Sequence, residues 1–234
     1  MPNRSRQQPA SLPDDYWEIF REQNPWRDGK DVPEVLALPS QRPLAEVLWK
    51  RLISNEPNRF QLILGPRRVG KTTAMYQTVK NLLGAGIAGD RLWWLRLDHP
   101  ALMKTPVGNV IKSLLKSDNA TTANPIFLFL DELTYGENWD LWLKTFYDEK
   151  WPLRIVGSSS ATAAIRIRRQ ESGVGRWEEQ HLTPYLFSEY LSLVGRKIPV
   201  RVQENLSDTL AAAISSRINI SDLADLRRKF TLIG

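Results

Sequence analysis

The chain contains 234 residues, of which 42% are hydrophobic and 25% charged, and its formal net charge is +6 at pH 7. This length fits one larger domain or one domain with appendages, and the apolar content is enough for a packed core. Because the sequence has no cysteine, disulfides, thiolate metal sites and a cysteine nucleophile are excluded. The sequence shows neither a signal peptide nor a run of about 18 apolar residues that would span a membrane, so we expect a cytoplasmic protein with no membrane partner.

The first 58 residues divide into two predicted parts. Residues 1–13, rich in Pro, Arg, Gln and Ser, have the composition of a disordered tail. Residues 14–58 carry clustered aromatic side chains and turn residues, which predict a short helix, an irregular strap and an amphipathic helix at Leu44–Leu52. We therefore expect an N-terminal helical strap before the main domain.

The clearest motif lies at residues 65–72, which fit the phosphate-loop (P-loop) pattern G-x-x-x-x-G-K-[ST] of nucleoside triphosphatases. The apolar run Phe60–Leu64 before it predicts a strand, and the apolar spacing in Thr73–Leu83 after it predicts a helix. Glycines let such a loop wrap closely around phosphate oxygens, so that backbone N–H groups and the positive end of the helix face the anion. The predicted nucleotide-binding residues are Gly65, Pro66, Arg67, Arg68, Val69, Gly70, Lys71, Thr72 and Thr73.

Two side chains of this loop have predicted roles. Lys71 would reach the β and γ phosphates, and the Thr72 hydroxyl would bind Mg²⁺, a cation that proteins hold through few of their own oxygens together with phosphate. The sequence has no Asn-Lys-x-Asp segment that would read guanine, so we expect ATP rather than GTP. A glycine-containing turn with an exposed lysine is the alternative interpretation, and a second motif in the expected place argues against it.

That second motif is the apolar run Ile126–Leu130 followed by Asp131 and Glu132. An apolar run without alternation predicts a strand buried on both faces, as in a parallel sheet covered by helices. In P-loop enzymes an aspartate here holds Mg²⁺ with its water shell, and a following glutamate orients or deprotonates the attacking water. We therefore predict Asp131 as a metal residue and Glu132 as a catalytic residue. The alternative is an ordinary strand-to-loop exit, where acidic residues are common.

Two further predicted strands end in polar residues. Leu92–Leu97 precedes Asp98, which either contacts Mg²⁺ or the attacking water or else caps a turn. Leu153–Gly157 precedes Ser158–Ser160, whose hydroxyls either bond the γ-phosphate or the water or else cap the next helix. The helix predicted after a capping Asn138 carries apolar residues at helical spacing, which we interpret as core packing.

Residues 154–176 carry an excess of arginine. The charged side chains in this stretch are Arg154, Arg166, Arg168, Arg169 and Arg176, against one acidic residue, Glu171. An arginine presented to the γ-phosphate stabilises transition-state charge, either within one chain or across a subunit interface. Alternatively, the arginines at 166–169 bind nucleic-acid phosphates, which the net positive charge also allows, or they belong to a solvated helix face.

Five segments, taken in order, resemble a family of prokaryotic AAA-type ATPases, which are P-loop ATPases of the additional-strand group. The segments are Gly65–Thr73, Phe129–Glu132 with Trp139 after it, Val156–Ser160, Gly175–Arg176 and Leu182–Tyr190. The resemblance covers about residues 60–191. It implies an α/β P-loop NTPase fold with a parallel sheet of about five strands in the order 5-1-4-3-2 between helices, with the fifth strand near Trp177–Leu182.

The resemblance also implies residue roles. The matches are Lys71 and Thr72 for phosphate and Mg²⁺, Asp131 and Glu132 for the Walker B pair, Ser158 or Ser159 for the catalytic sensor, and Arg176 for the family's Gly-Arg segment, with an implied arginine-finger role. Family members commonly carry glutamine where this chain has Thr134. The coupling role of that glutamine therefore does not transfer to this chain.

The resemblance sets the remaining domain expectations. Residues 59–195 would form the ATPase core, and residues 196–234 a short helical, lid-like segment with predicted helices at Leu206–Ile214 and Ser221–Phe230. Family members often continue into a large C-terminal domain. We therefore expect that the lid-like segment is truncated and that the chain is a piece of a longer protein.

From the sequence we predict Mg²⁺-dependent ATP binding and hydrolysis that drives a conformational or assembly switch. The expected cofactors are ATP and Mg²⁺, and the expected partner is a second copy of the chain, an attached effector domain or another protein. One alternative is a regulatory switch that binds nucleotide but hydrolyses it slowly or not at all. Another is an ATP-dependent DNA-binding regulator or loader.

Overall fold

A computed structural model describes residues 12–54, 58–160, 175–193, 225 and 227–229. The chain divides into two compact units, Met1–Leu182 and Thr183–Gly234. The predicted tail, the arginines at 166–169 and almost all of the predicted segment 196–234 lie outside the described residues, so the expectations about them stay predictions. No helix in the described part of the chain is long and apolar enough to cross a membrane.

The first unit contains a five-stranded parallel sheet with the strand order β2-β3-β4-β1-β5. Its strands are β1 Phe60–Leu64, β2 Leu92–Arg96, β3 Ile126–Asp131, β4 Leu153–Ser159 and β5 Trp177–His181. Read from the β5 edge, this is the order 5-1-4-3-2, so the predicted fold class and strand order are confirmed. Two strands run further than their apolar patterns, because β3 includes Asp131 and β4 includes Ser158 and Ser159.

Helices flank this sheet. The α-helices of the first unit are α1 Asp14–Gln23, α2 Glu34–Ala37, α3 Pro43–Ile53, α4 Lys71–Gly84, α5 Val107–Ser117 and α6 Trp139–Asp148, with short 3-10 turns at Pro25–Asp28, Gly89–Arg91, Leu102–Lys104 and Leu133–Tyr135. The second unit contains α7 Phe187–Leu193. Asn138 directly precedes α6, but its backbone is left-handed and its side chain makes no capping hydrogen bond. The prediction that Asn138 caps this helix is therefore wrong.

Apolar side chains cover both faces of the sheet, because successive strand residues point to opposite sides. In β1, Leu62 and Leu64 belong to a buried cluster with residues of α1, α5 and α6, whereas Ile63 belongs to a second cluster with residues of α2, α3 and α4. In β2, Trp93 and Trp94 divide between the same two clusters. The unbroken apolar runs in the sequence therefore correspond to strands buried on both sides.

Side chains of the N-terminal strap cover the free edge of β2. The Asn24 amide donates to the Trp94 carbonyl at 2.9 Å, and its Oδ1 accepts from the Trp94 N–H at 2.5 Å. The Trp26 indole N–H donates to the Leu92 carbonyl at 3.1 Å. These bonds take the place of a neighbouring strand, so the strap satisfies an edge that would otherwise be open to pairing with another chain.

We predict that Asn24→Ala lowers the free energy of unfolding by about 1–3 kcal/mol, because the buried backbone groups of Trp94 would lose their partner. The matched control is Gln23→Ala, which removes only an exposed hydrogen bond from the Arg96 N–H at 3.0 Å. That variant should lose less than about 0.5 kcal/mol. Urea unfolding followed by circular dichroism measures both. Equal losses in the two variants would contradict the role assigned to Asn24.

Candidate nucleotide-binding site

The parallel register brings the polar ends of β1, β3 and β4 to one edge of the sheet. Leu64, the last residue of β1, pairs with Ser159 of β4, and Leu130 of β3 pairs with Gly157 of the same strand. The loop that follows β1 therefore starts at the same sheet edge as the acidic end of β3, with β4 between the two strands. Ligands bind at this edge in open α/β sheets.

Residues 65–70 form the loop between β1 and α4, and Lys71 is the first residue of α4. Gly70 has a left-handed backbone with φ of 94°, which residues with a side chain rarely adopt. The Lys71 side chain is buried, and its ammonium donates to the carbonyls of Gly65 and Pro66 at 2.9 and 2.8 Å. The lysine is thus held over the loop in which the motif predicts phosphate binding.

The first glycine of the motif is required by a close approach of another backbone. A Cβ at Gly65 would lie 2.2 Å from the carbonyl oxygen of Leu182. The Leu182 N–H donates to the Leu64 carbonyl at 2.7 Å, which continues the pairing of β5 with β1. A side chain at position 65 would therefore push the end of β5 away from the start of the loop.

Asp131 is a buried carboxylate that connects three elements. The Thr72 hydroxyl at the start of α4 donates to Asp131 Oδ2 at 3.1 Å. The Ser158 hydroxyl of β4 donates to Asp131 Oδ1 at 2.5 Å. The two predicted metal residues are therefore in direct contact, and a predicted catalytic serine bonds the same carboxylate.

Glu132 follows on a turn with a left-handed backbone. Its φ is 52°, a conformation that costs a residue with a side chain on the order of 1 kcal/mol or more. The Glu132 N–H donates to Ser158 Oγ at 3.1 Å, and its carboxylate accepts from Ser160 Oγ at 3.1 Å. The serines at the end of β4 therefore hold both the backbone and the side chain of this glutamate.

Ser160 belongs to the predicted run of serine hydroxyls but not to the two residues predicted for the sensor. Ser158 and Ser159 were the residues predicted for the sensor, but the hydroxyl in contact with the Glu132 carboxylate belongs to Ser160. Ser159 instead lies 3.3 Å from the hydroxyl of Thr134, the residue found where the family commonly has glutamine. The run of serines was the available signal, but which hydroxyl reaches which partner depends on the turn after β3.

A cleft of about 530 Å³ opens beside this group of hydrogen-bonded side chains. Its lining residues are Arg67, Arg68, Gly70, Lys71, Thr72, Thr73, Asp98, Glu132 and Tyr135. Asp98 lies at the predicted sheet edge and lines the cleft. Its carboxylate pairs with Arg96 at 3.3 Å. Tyr135 is 40% exposed and adds to the cleft an aromatic ring that no sequence motif predicts.

Burial and charge shift the pKa values of two central groups. Burial lowers the pKa of Lys71, while the nearby carboxylates of Glu132 and Asp131 act in the opposite direction. Burial raises the pKa of Asp131, and hydrogen bonds from Ser158 and Thr72 offset part of that rise. Both shifts disfavour the charged form, and a bound ion of opposite charge would favour the charged form of each group.

The structure does not bring Arg176 to the cleft of its own chain. The Arg176 carbonyl accepts from the Phe60 N–H at the amino end of β1, whereas the P-loop leaves the carboxyl end. The Arg176 guanidinium pairs with Asp148 at 2.8 Å. Arg154, near the start of β4, belongs to the same amino edge. A finger role for Arg176 in its own chain is therefore not supported, and a role at a neighbouring chain stays a prediction.

Comparison with known families agrees with this geometry. A family model described as an AAA domain matches residues 57–191 of the chain. The chain belongs to this family of AAA-type P-loop ATPases. The match covers the P-loop, the acidic end of β3, the whole of β5 and the serines of β4. The AAA domain therefore contains the whole cleft.

Two relatives of this AAA chain come from the archaeon Methanocaldococcus jannaschii. The uncharacterized protein MJ1637 is 26% identical over 144 residues, which cover 61% of this chain and 30% of the relative. The uncharacterized protein MJ1544 is 29% identical over 140 residues, which cover 58% of this chain and 29% of the relative. The chain therefore spans less than a third of the length of either curated relative, and both are prokaryotic proteins, as the sequence predicted.

We predict that Asp131→Asn raises the stability of the nucleotide-free protein at neutral pH in EDTA. Because burial raises the pKa of Asp131, the folded protein binds this proton more tightly than the unfolded chain does. The wild type therefore loses stability as the pH rises above about 4, where an ordinary aspartate ionises. Asparagine has nearly the same shape as aspartate but does not ionise, so the variant does not lose stability in this way. The urea midpoint of the variant should be higher at pH 7, and the difference should vanish below about pH 4.

Asp148→Asn provides a control of opposite sign. The hydrogen bond from Arg176 holds the pKa of the exposed Asp148 below its usual range, so this carboxylate stabilises the fold above about pH 4. Its replacement should lower the midpoint at pH 7. An Asp131→Asn midpoint at or below that of the wild type at pH 7 would contradict the account of Asp131.

Proposed function

We propose that this chain binds ATP together with Mg²⁺ in the cleft and hydrolyses it to ADP and phosphate. The observation that carries the proposal is the 3.1 Å contact between the Thr72 hydroxyl and the Asp131 carboxylate. Thr72 shares one cleft with Lys71 and Glu132. A loop lysine, a hydroxyl and two acidic residues at the neighbouring strand end form the set that P-loop ATPases use.

Lys71 and the loop backbone would bind the phosphates. The N–H groups of the loop and the start of α4 offer donors to an anion. Burial lowers the pKa of the Lys71 ammonium, and phosphate oxygens beside it would favour its charged form. The Lys71 ammonium donates to the carbonyls of Gly65 and Pro66. When ATP binds, phosphate oxygens would accept these hydrogen bonds in place of the two carbonyls.

The donor set at the Thr72–Asp131 contact fits Mg²⁺. This cation prefers oxygen ligands and keeps several of its waters, so one hydroxyl and one carboxylate suffice on the protein side. Asp131 is buried, and a cation beside it would favour the ionised carboxylate. When bound, Mg²⁺ would neutralise charge on the β and γ phosphates.

Glu132 is the proposed general base. It would orient a water and accept its proton, while the Ser160 hydroxyl holds the carboxylate in position. The water oxygen bonds to the γ-phosphorus, the bond from that phosphorus to the bridging oxygen breaks, and its electron pair leaves with ADP. The Ser158 bonds to Asp131 and to the Glu132 N–H keep the metal residue and the base in a fixed relation.

We further propose that the nucleotide state controls assembly or an attached partner. Most of the length of both matched relatives lies outside the matched segment, which supports an ATPase domain that works with other parts of a protein. Arg176 could act only at the nucleotide of a second copy, because in its own chain it lies at the opposite sheet edge. An arginine supplied in this way makes hydrolysis depend on assembly.

We predict that Glu132→Gln lowers the turnover number for ATP about 100-fold or more while ATP binding is retained, because only the base is removed. Lys71→Ala should lose ATP binding, because the phosphates lose their cation. Phosphate release measures turnover, and calorimetric titration with an ATP analogue that resists hydrolysis measures binding. The matched control Glu137→Gln makes the same chemical change at an exposed residue outside the cleft and should behave as the wild type.

Two results would contradict this assignment. Wild type that binds ATP tightly but releases no phosphate would favour the regulatory switch, and equal turnover of wild type and Glu132→Gln would remove Glu132 from the chemistry. Addition of DNA tests the remaining alternative. Turnover that DNA stimulates, with binding that weakens steeply in salt, would favour the DNA-binding regulator.

A mixing experiment tests assembly. Lys71→Ala and Arg176→Ala are each measured alone and then combined, because a Lys71→Ala chain still carries Arg176 for its neighbour. Restored turnover in the mixture would place Arg176 at the nucleotide of a neighbouring chain. Turnover of Arg176→Ala alone at the wild-type level, independent of protein concentration, would remove Arg176 from the site.

A further inference from the structure

Two of the four variable positions of the P-loop are arginines, Arg67 and Arg68, and both side chains are exposed and line the cleft. Within the described residues, neither side chain makes a hydrogen bond or an ion pair. By contrast, Arg96 at the end of β2 pairs with Asp98. The P-loop therefore supplies the cleft with guanidinium groups that are available to bind an anion.

Arg67 directly follows the part of the loop that holds the Lys71 ammonium. The Lys71 ammonium bonds the carbonyl of Pro66, the residue directly before Arg67. An anion bound at the Lys71 ammonium would therefore lie near a second cation of the same loop, and a triphosphate is such an anion.

The backbone separates the two arginines further. Arg68 has a left-handed backbone with φ of 64°, whereas Arg67 does not. Such a conformation is strained at a residue with a side chain and persists only where the surroundings enforce it. We therefore assign Arg68 to the backbone conformation of the loop and Arg67 to the binding of an anion in the cleft.

We infer that Arg67 is a catalytic residue whose guanidinium binds the γ-phosphate of ATP held by its own chain. The inference rests on the proposed function and adds a charge that needs no neighbouring subunit. As the water oxygen bonds to the γ-phosphorus and the bridging bond breaks toward ADP, charge spreads over the phosphoryl oxygens. A planar guanidinium donates to two such oxygens at once, which an ammonium cannot do in the same geometry.

The test separates γ-phosphate binding from general attraction of phosphate. The dissociation constants of ADP and of a non-hydrolysable ATP analogue are measured by calorimetry with Mg²⁺ at fixed salt, and turnover by phosphate release. For Arg67→Ala we expect the analogue constant to rise about tenfold, the ADP constant to change less than about threefold, and turnover to fall about 100-fold or more. Arg59→Ala, the matched control for charge, removes an exposed arginine just before β1, at the opposite edge of the sheet and outside the cleft, and should change each quantity less than about threefold.

Arg67→Lys tests the guanidinium itself. It keeps the positive charge but not the two parallel donors, so we expect ATP-analogue binding close to that of the wild type and only a partial recovery of turnover. Urea midpoints of all variants identify any loss of folding. Full recovery by lysine would overturn the two-donor contact.

A mixing experiment tests whether Arg67 acts at the nucleotide of its own chain. Arg67→Ala combined with Lys71→Ala should show no restored turnover, because the Lys71→Ala chain cannot hold ATP and its Arg67 serves only its own loop. Restored turnover would overturn the same-chain assignment. Equal loss of ADP and analogue affinity in Arg67→Ala would overturn the γ-phosphate contact.

The failure of this inference differs from the failure of the proposed function. A wild type that binds both nucleotides but never hydrolyses ATP would contradict hydrolysis, and the ratio of the two dissociation constants would then decide whether Arg67 contacts the γ-phosphate. A wild type that binds neither nucleotide would contradict both proposals.

Discussion

The structure depends on one buried carboxylate, that of Asp131, at the carboxyl end of β3. Parallel pairing places this strand end beside β4 and near the start of α4, and the carboxylate accepts hydrogen bonds from Ser158 and Thr72 of those elements. An isolated charge in such a position is costly unless it is bonded or matched by a cation. The same bonds that make the buried acid tolerable also define the position of a cation that would balance it.

Several residues around this carboxylate have conformations that stability alone would not select. Arg68 and Glu132 have left-handed backbones, although neither is glycine. The serines of β4 hold the second of these turns through the Glu132 N–H and carboxylate. Local strain supported by a rigid neighbouring strand is common at functional sites, where a fixed geometry matters more than the free energy of unfolding.

The sequence predicted the parts that depend on local patterns, namely the strands, the P-loop helix and the acidic end of β3. The two motifs assigned Thr72 and Asp131 to one metal site, and the structure shows the direct contact between them that the motifs did not specify. Other features depend on tertiary structure and had no local signal. Asn24 reads as an ordinary loop residue, yet its amide occupies the edge of β2. Arg176 came from a family motif, which carries no information about the sheet edge at which the residue lies.

The central claim is that the cleft binds ATP through Mg²⁺ held by Thr72 and Asp131. The most direct measurement is a calorimetric titration of the wild-type chain with a non-hydrolysable ATP analogue, in Mg²⁺ and again in EDTA. The account predicts saturable one-to-one binding that weakens at least about tenfold when Mg²⁺ is removed, because the phosphates and Asp131 would then face each other without a cation. Binding of equal strength in EDTA, or no binding in Mg²⁺, would contradict it.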